Sequence, residues 1–247
     1  MVQAALNGNR PRSESPATPF TNAEMTKSGR EAVAAGAGCI HFHVRANDGA
    51  ESLHAEDVAA ALQAMRAEIP ETPIGISTGE WIVRDSAERQ RQVNTWNLLP
   101  DFVSVNFNEM GAAALADSLL SRGVGVEAGL GSVLAAEKFL GSGLGGRCLR
   151  VLIEPEEQEL AAAIAVVVYI EGFLDRSGVK IPRLLHGHEQ TAWPFIDLAV
   201  TRGYDTRIGL EDALSLADGS PAPGNGAMVA EAMARMVRGR VSQSTSV

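Results

Sequence analysis

The chain has 247 residues, with 30 acidic and 21 basic side chains and a formal net charge of −9. Its 45% hydrophobic and 21% charged residues are those of an ordinary globular protein and exclude a disordered or fibrous chain. The acidic balance argues against a nucleic-acid partner, because no basic stripe is present to neutralise phosphates. The longest apolar run, residues 160–170, is too short to span a bilayer, so we expect no membrane association.

The cysteines and the N-terminal residues indicate the cellular compartment of the protein. Cys39 and Cys148 lie in apolar runs and are too few for a disulfide framework, so we expect buried free thiols in a reducing environment. The N-terminal residues turn polar at Asn7 and lack the basic and apolar regions of a secretion signal. These features predict a cytoplasmic protein.

Short β-branched or apolar runs alternate with longer helical patterns along the whole chain. The spacing predicts strands at 2–6, 39–44, 73–77, 102–105, 124–127, 148–153, 183–185 and 206–208. It predicts helices at 21–35, 54–68, 85–96, 111–121, 132–140, 155–174, 191–202 and 226–238. A capping box at 21–24 and a proline in the first turn, Pro155, mark two helix starts. Three glycines mark helix ends: Gly36, Gly123 and Gly203.

Eight β-α units at this spacing are typical of a barrel of parallel strands. The prediction is an α/β protein, a single (β/α)8 TIM barrel over residues 1–240, with a Ser-rich tail at 241–247 that we expect to be disordered. An open doubly wound sheet is the alternative, because local patterns do not show whether a sheet closes. The Gly-rich stretch 141–146 follows a helix and precedes a strand, which predicts an αβ connection rather than a phosphate-binding loop.

Four of the five histidines form two His-x-His pairs, His41/His43 and His186/His188. Residues two apart on a strand project from the same face, so His41 and His43 can both point inward at the carboxyl end of strand 2. Barrel enzymes carry their active sites at that end, and paired neutral imidazoles suit a zinc-like divalent metal. A pair of satisfied core histidines is the alternative.

The eighth strand and its loop carry a second group of charged residues. Glu211 could complete a site of two histidines and one glutamate, because strands 2 and 8 both border strand 1. Asp212 is a candidate general base, and Arg207 is a candidate partner for its charge or for a substrate carboxylate. The alternative is that Glu211 and Asp212 are the acids favoured in the first turn of a helix.

Polar residues also follow the other strands. Ser77 and Thr78, after strand 3, could hold a carboxylate or a developing oxyanion, or simply form a turn. The remaining strand-end candidates are Asn7, Asn106, Asn108, Glu109 and Glu127. Packing roles are predicted for the three tryptophans, Trp81, Trp96 and Trp193, and a surface position for His54 at a helix start.

Three stretches together resemble the β-keto acid cleavage enzymes: residues 40–49 (IHFHVRANDG), 75–79 (GISTG) and 207–212 (RIGLED). Their order and approximate spacing match those of the family. The resemblance implies a (β/α)8 barrel with a divalent metal, usually zinc, that condenses a β-keto acid with acetyl-CoA to give acetoacetate and a new acyl-CoA. We also expect a homo-oligomer, a dimer or tetramer.

The resemblance assigns roles by position. It makes His41, His43 and Glu211 the metal ligands. It makes Asp212 the base that takes a proton from acetyl-CoA, with Arg207 as its charge partner. Ser77 and Thr78 would hold the carboxylate and enolate oxygens of the substrate.

Specificity is expected to depend on the first β-α loop and strand 4. Arg10 stands where the family often has an acid that reads the substrate's side chain, which predicts a tail with a second carboxylate or an uncharged polar group. A solvated Arg10 paired with Glu14 is the alternative. Asn106 and Glu109 complete the predicted substrate-binding residues. Roles for Glu127, His186 and His188 stay open.

Two other functions remain open at this stage. One is a metal-dependent aldolase or hydrolase that needs no CoA, which a requirement for acetyl-CoA would exclude. The other is a non-catalytic barrel that binds a metabolite, because a fold alone never establishes an activity.

Overall fold

In this computed structural model, residues 1–244 are described, and strands and helices alternate along them. The strands are β1 (Val2–Ala5), β2 (Cys39–Phe42), β3 (Ile74–Ser77), β4 (Phe102–Asn106), β5 (Gly125–Leu130), β6 (Arg150–Ile153), β7 (Arg183–Leu185) and β8 (Asp205–Ile208). The helices are α1 (Asn22–Ala34), α2 (Ala55–Glu68), α3 (Ser86–Asn94), α4 (Ala112–Ser121), α5 (Val133–Gly141), α6 (Leu160–Ser177), α7 (Ala192–Arg202) and α8 (Asn225–Ser244).

The eight strands form one closed parallel barrel, in which each strand pairs with its neighbours in sequence and β1 also pairs with β8. In register, Ala5 of β1 lies beside His41 of β2, and Ala4 lies beside Ile208 of β8. Closure therefore brings the carboxyl ends of β2 and β8 to the two sides of β1. The predicted (β/α)8 TIM barrel is confirmed, and the open sheet is excluded.

Most helix boundaries agree with the sequence prediction to within a few residues, and the exceptions are the start of α6 and the end of α8. Thr21 caps α1 through a capping box with Glu24, as predicted. The start of α6 was predicted at residue 155, but the helix begins at Leu160. The carboxylate of Glu159 accepts hydrogen bonds from the first free N–H groups of the helix, and Pro155 lies in the preceding loop.

The C-terminal helix is longer than the sequence predicts, and both cysteines are buried. Helix α8 runs to Ser244, past the predicted end at residue 238, and residues 245–247 of the predicted tail lie outside the described residues. Cys39 and Cys148 are buried free thiols, as predicted. Among the described residues, no helix has the length and apolarity needed to cross a membrane.

Glu127 is in the barrel interior and not at the mouth, where the sequence placed it. Strand β5 continues to Leu130, so Glu127 lies within the strand and is fully buried. Its carboxylate accepts hydrogen bonds from Gln3 at 2.7 Å, Ser104 at 2.8 Å and Arg150 at 2.6 Å. A buried carboxylate with this many donors ties strands β1, β4, β5 and β6 together below the site.

Candidate active site

A cavity of about 230 Å³ opens at the carboxyl ends of the strands. Its lining is drawn from all eight strands or from the loops that follow them, as expected where a barrel enzyme carries its site. Most of the lining side chains are polar: Asn9, His41, His43, Ser77, Ser104, Asn106, Asn108, Glu154, Glu156, His188, Arg207 and Glu211.

The first predicted histidine pair and Glu211 come together on one side of this cavity. His41 Nε2 lies 3.6 Å from Glu211 Oε2, and His43 Nε2 lies 3.2 Å from Glu211 Oε1. The two imidazole rings are edge to face, with centroids 5.5 Å apart. The closed barrel explains this convergence, because β8 and β2 are separated only by β1.

Other side chains orient the two rings. Ser104 Oγ lies 3.3 Å from His41 Nδ1, and Glu51 Oε1 lies 2.5 Å from His43 Nδ1, so both Nε2 atoms face Glu211. Glu211 Oε2 is buried without a hydrogen-bond partner among the described residues. Two oriented imidazoles and a carboxylate with a free oxygen form a donor set that suits zinc. The three residues fit a divalent metal.

The electrostatics of this group also favour a cation. Burial lowers the pKa of His41 well below its usual value, which keeps that ring neutral. Burial acts in the same direction on His43, but the carboxylates of Glu211 and Glu51 raise its pKa to about 9. Burial opposes ionisation of Glu211, yet Arg207 and the two histidines hold its pKa well below the usual range. A negative field that attracts a proton at this point attracts a metal cation as well.

Arg207 connects the predicted metal ligand to the predicted base. Its Nη2 donates to Asp212 Oδ1 at 2.8 Å and to Glu211 Oε1 at 2.5 Å, and its Nε donates to Asp212 at 3.1 Å. Asp212 is fully buried, directly behind Arg207 and His188, which do line the cavity. One guanidinium therefore fixes both carboxylates relative to each other.

A second histidine–carboxylate group flanks Asp212. His186 Nε2 lies 3.2 Å from Glu154 Oε2, and the Nδ1 atoms of His186 and His188 lie 3.6 Å and 3.7 Å from Asp212 Oδ1. Ligand atoms of Glu154, His186 and His188 lie within 4.8 Å of one another, a spacing that also suits a cation. Asp212 Oδ1 also accepts a hydrogen bond from Arg207. The candidate base is therefore surrounded by polar side chains.

The four substrate-binding residues predicted at the ends of β3 and β4 divide into two sets. Ser77 and Asn106 line the cavity, as expected. Thr78 donates its hydroxyl to a backbone carbonyl of β4 at 2.7 Å, which occupies its proton. Glu109 accepts from buried Arg89 at 2.9 Å and from Asn106 at 3.0 Å. Thr78 and Glu109 are therefore engaged in holding the strand ends.

Arg10 is held by protein groups and does not line the cavity. Its Nε donates to the backbone carbonyl of Glu211 at 3.1 Å, and its Nη atoms pair with Glu14, at 3.0 Å, and with Glu189. The pairing with Glu14 is the alternative that the sequence left open. This geometry favours an anchoring role for Arg10 in the first β-α loop over contact with a substrate tail.

Of the residues that support His43, sequence reasoning missed Glu51, assigned Trp81 to packing and named Asn7 only as a strand-end candidate. Trp81, predicted to be a packing residue, is 43% exposed at the cavity and stacks on the His43 ring with centroids 5.9 Å apart. Its Nε1 donates to Glu51 at 3.1 Å. Asn7 brackets the backbone of His43, accepting from its N–H at 2.9 Å and donating to its carbonyl at 3.0 Å. Glu51 lies eight residues after His43 in a loop, where no strand-end pattern marks it.

Glu154 was also missed, although a signal was available. It directly follows β6, the position at which polar residues were sought on the other strands. The helix predicted to start at Pro155 left no strand-end residue at this position. Burial raises the pKa of Glu154 to about 7, and its side chain lines the cavity.

The closed barrel and its mouth-side cluster define a (β/α)8 barrel protein with a candidate metal-binding active site. The family model described as beta-keto acid cleavage enzyme matches residues 1–138 and 160–243. The chain belongs to this family.

Individual relatives agree with this assignment. The chain is 26% identical over 244 residues to the 3-keto-5-aminohexanoate cleavage enzyme of Fusobacterium nucleatum, covering 93% of this chain and 88% of that protein. It is 33% identical over 106 residues to the 3-oxoadipate:acetyl-CoA acetyltransferase of Cupriavidus necator, covering 42% of this chain and 36% of that protein. A solved ternary complex of ObcA with a C4-CoA adduct and oxalate has a TM-score of 0.70 at 16% identity, covering 94% of this chain and 65% of that one. That likeness shows a shared fold.

Proposed function

We propose that this chain is a metal-dependent enzyme that converts a β-keto acid and acetyl-CoA into acetoacetate and a new acyl-CoA. Family membership supports the reaction class, and the name of the Cupriavidus necator relative supports acetyl-CoA as the second substrate. The observation that carries the proposal is the convergence of His41, His43 and Glu211 beside the Arg207–Asp212 pair.

A divalent metal, zinc by preference, would be held by His41, His43 and Glu211. Bound there, it would act as a Lewis acid on the keto and carboxylate oxygens of the substrate. The protein supplies the orientation: Ser104 and Glu51 hold the histidine rings, and Arg207 holds the Glu211 carboxylate.

The products determine which carbon becomes the nucleophile. Acetoacetate keeps the CH₂–COO⁻ unit of the β-keto acid and gains the acetyl group of acetyl-CoA. The new bond therefore joins C2 of the β-keto acid to the thioester carbonyl carbon, and the proton to be removed is on C2 rather than on the acetyl-CoA methyl group. The CoA thiolate then moves to the C3 carbonyl, the C2–C3 bond breaks to release the acyl-CoA, and a proton returns to C2.

Asp212 is the residue proposed to take and return that proton. It is a carboxylate excluded from water and held by Arg207, and it lies against two cavity-lining side chains, Arg207 and His188. Because Arg207 stays charged, it stabilises the Asp212 carboxylate before proton transfer. Ser77, whose hydroxyl side chain lines the cavity, is proposed to hold a substrate oxygen.

We further propose that the enzyme is a cytoplasmic homo-oligomer. The two buried free thiols support a reducing compartment. The outward face of α6 supports self-association, since Leu160, Val168 and Tyr169 are 41%, 49% and 63% exposed. No charged residue interrupts positions 160–170, which is unusual for a helix face in water.

The test is an assay of a panel of β-keto acids, with and without acetyl-CoA, in which acetoacetate and acyl-CoA are quantified by mass spectrometry. We expect both products in equal amounts and only when acetyl-CoA is present. Turnover without acetyl-CoA would favour a metal-dependent aldolase or hydrolase instead. A metal-loaded protein that cleaves none of the β-keto acids would contradict the proposal.

A further inference from the structure

A small cradle lies at the carboxyl ends of β4, β5 and β6. These strands are across the closed barrel from β1. The metal-binding group lies on the β1 side, because its residues come from β2 and β8, the two neighbours of β1. Gly129 forms the floor of the cradle. A Cβ on this residue would stand 2.4 Å from Glu154 Oε1 and 2.5 Å from Asn106 Oδ1. The missing side chain of Gly129 thus leaves space between two acceptor oxygens that converge on one point.

Neither oxygen has a hydrogen-bond donor among the described residues. Asn106 uses its Nδ2 to donate to Glu109 at 3.0 Å, which leaves its Oδ1 as an acceptor. Glu154 directs its Oε2 toward His186 Nε2 at 3.2 Å, which leaves Oε1 without a partner. The Glu154 side chain is only 16% exposed, so water solvates it poorly. Both residues line the open cavity, so a donor on a bound molecule can replace the water that otherwise satisfies these acceptors.

The charges next to the cradle disfavour an anionic ligand group. Among the described residues that line the cavity, Arg207 is the only arginine or lysine, and it donates to Glu211 and Asp212. Glu154 and Glu156 line the cavity from the loop after β6. A carboxylate placed over Gly129 would therefore meet like charge without a cationic partner.

We propose that Glu154 and Asn106 form a subsite that selects β-keto acids whose tail carries a hydrogen-bond donor, an ammonium or a hydroxyl group, and rejects tails that end in a carboxylate. The inference rests on the proposed function: with the keto-acid head held at His41, His43 and Glu211, a tail that crosses the cavity reaches Asn106 and Glu154, which also line it. It agrees with the specificity predicted from Arg10 on hydroxyl tails and differs from it on ammonium and carboxylate tails. Glu154 lies in residues 139–159, which the family model does not match, whereas Asn106 and Gly129 lie within its matched residues.

The first measurement compares kcat/KM for matched six-carbon β-keto acids with an ammonium, a hydroxyl or a carboxylate on the tail. We expect kcat/KM for the two substrates with donor tails to exceed that for the carboxylate tail by about tenfold or more, the usual effect of one well-placed polar contact. Glu154→Gln keeps an acceptor but removes the charge, so it should lower kcat/KM for the substrate with the ammonium tail relative to the one with the hydroxyl tail. Glu137→Gln, at an exposed carboxylate on α5, is the control and should leave the ranking unchanged.

Gly129→Ala is a second variant, which keeps the test valid if Glu154→Gln fails to fold. Its methyl group would occupy the cradle and should lower kcat/KM for both substrates with donor tails. A wild type that prefers the carboxylate tail, or a ranking that neither variant changes, overturns the subsite. So does loss of a second bound metal ion in Glu154→Gln, because Glu154 would then be a metal ligand with His186 and His188.

Calorimetric binding of the corresponding saturated acids, which lack the keto group and cannot be cleaved, separates the subsite from the reaction. We expect the ammonium acid to bind the metal-loaded wild type about tenfold more tightly than the dicarboxylate, and Glu154→Gln to remove most of that difference. If binding follows this order but no β-keto acid is cleaved, the proposed reaction fails and the subsite stands. If cleavage occurs and the dicarboxylate binds best, the reaction stands and the subsite fails.

Discussion

The carboxylate of Asp212 lies 2.8 Å from Nη2 of Arg207, and both side chains are buried at the end of β8. The same guanidinium nitrogen reaches Glu211, so the candidate base and a candidate metal ligand share one cation. Removing either partner of a buried ion pair leaves an uncompensated charge. The base is therefore best tested with a substitution that keeps the shape of its side chain.

Asp212→Asn should reduce turnover by about 10²-fold or more, the usual range for a positioned base, because an amide cannot accept the C2 proton. The step is followed by NMR, as exchange of the C2 protons of the β-keto acid into deuterated water without acetyl-CoA. The enzyme-dependent exchange should disappear in the variant while bound metal is retained. Exchange at the wild-type rate would remove Asp212 from this role.

His41→Ala should lose bound metal and activity together, because it removes one of three ligands from a buried site. Metal content is measured by elemental analysis after loading, with circular dichroism to verify the fold. His54→Ala is the matched control, since His54 is an exposed residue at the start of α2 and should retain full metal content. A metal-free wild type, or a His41→Ala variant that keeps its ion, would contradict the ligand assignment.

Glu51→Gln should weaken metal binding without abolishing it. Glu51 contacts His43 Nδ1 and so orients the ring and raises its basicity. Loss of such a supporting carboxylate typically lowers metal affinity by about 10- to 100-fold. Competition with a chelator measures the change, with Glu71→Gln, at an exposed carboxylate, as the control. Equal affinities in wild type and Glu51→Gln would mean that Glu51 does not support the site.

Tyr169→Glu should dissociate the proposed oligomer. Tyr169 is 63% exposed on α6, and a carboxylate buried at this position between two copies would lack a partner. Light scattering measures the mass against 26.0 kDa for one chain. Met110→Glu, at a 74% exposed residue outside α6, is the control for added charge. A monomeric wild type would disprove the oligomer.

The barrel and the main site cluster were predictable because their signals are local and periodic. His41 and His43 share a strand face by the two-residue period, and the order of the strands brings Glu211 beside them once the sheet closes. Closure itself depends on contacts between chain ends, which no local pattern contains. The structure supplied it through the pairing of β1 with β8.

The supporting residues were less accessible to sequence reasoning for a physical reason. Glu51 acts through a loop conformation, and Trp81 acts through stacking on a ring from another strand. Neither contact leaves a spacing pattern. For Thr78 and Glu109 the residue type suggested substrate contact, but protein partners satisfy both side chains. Residue type thus predicted polar side chains at the mouth of the barrel. The structure was needed to separate the side chains that bind other protein groups from those that face the cavity.

The most direct test of the central claim uses acetyl-CoA labelled with ¹³C in both acetyl carbons, together with an unlabelled β-keto acid and the metal-loaded enzyme. The account predicts acetoacetate carrying both labels at C3 and C4, and an unlabelled new acyl-CoA, because the acetyl group is transferred intact to C2 of the substrate. Label in the new acyl-CoA, unlabelled acetoacetate, or cleavage that proceeds without acetyl-CoA would contradict it.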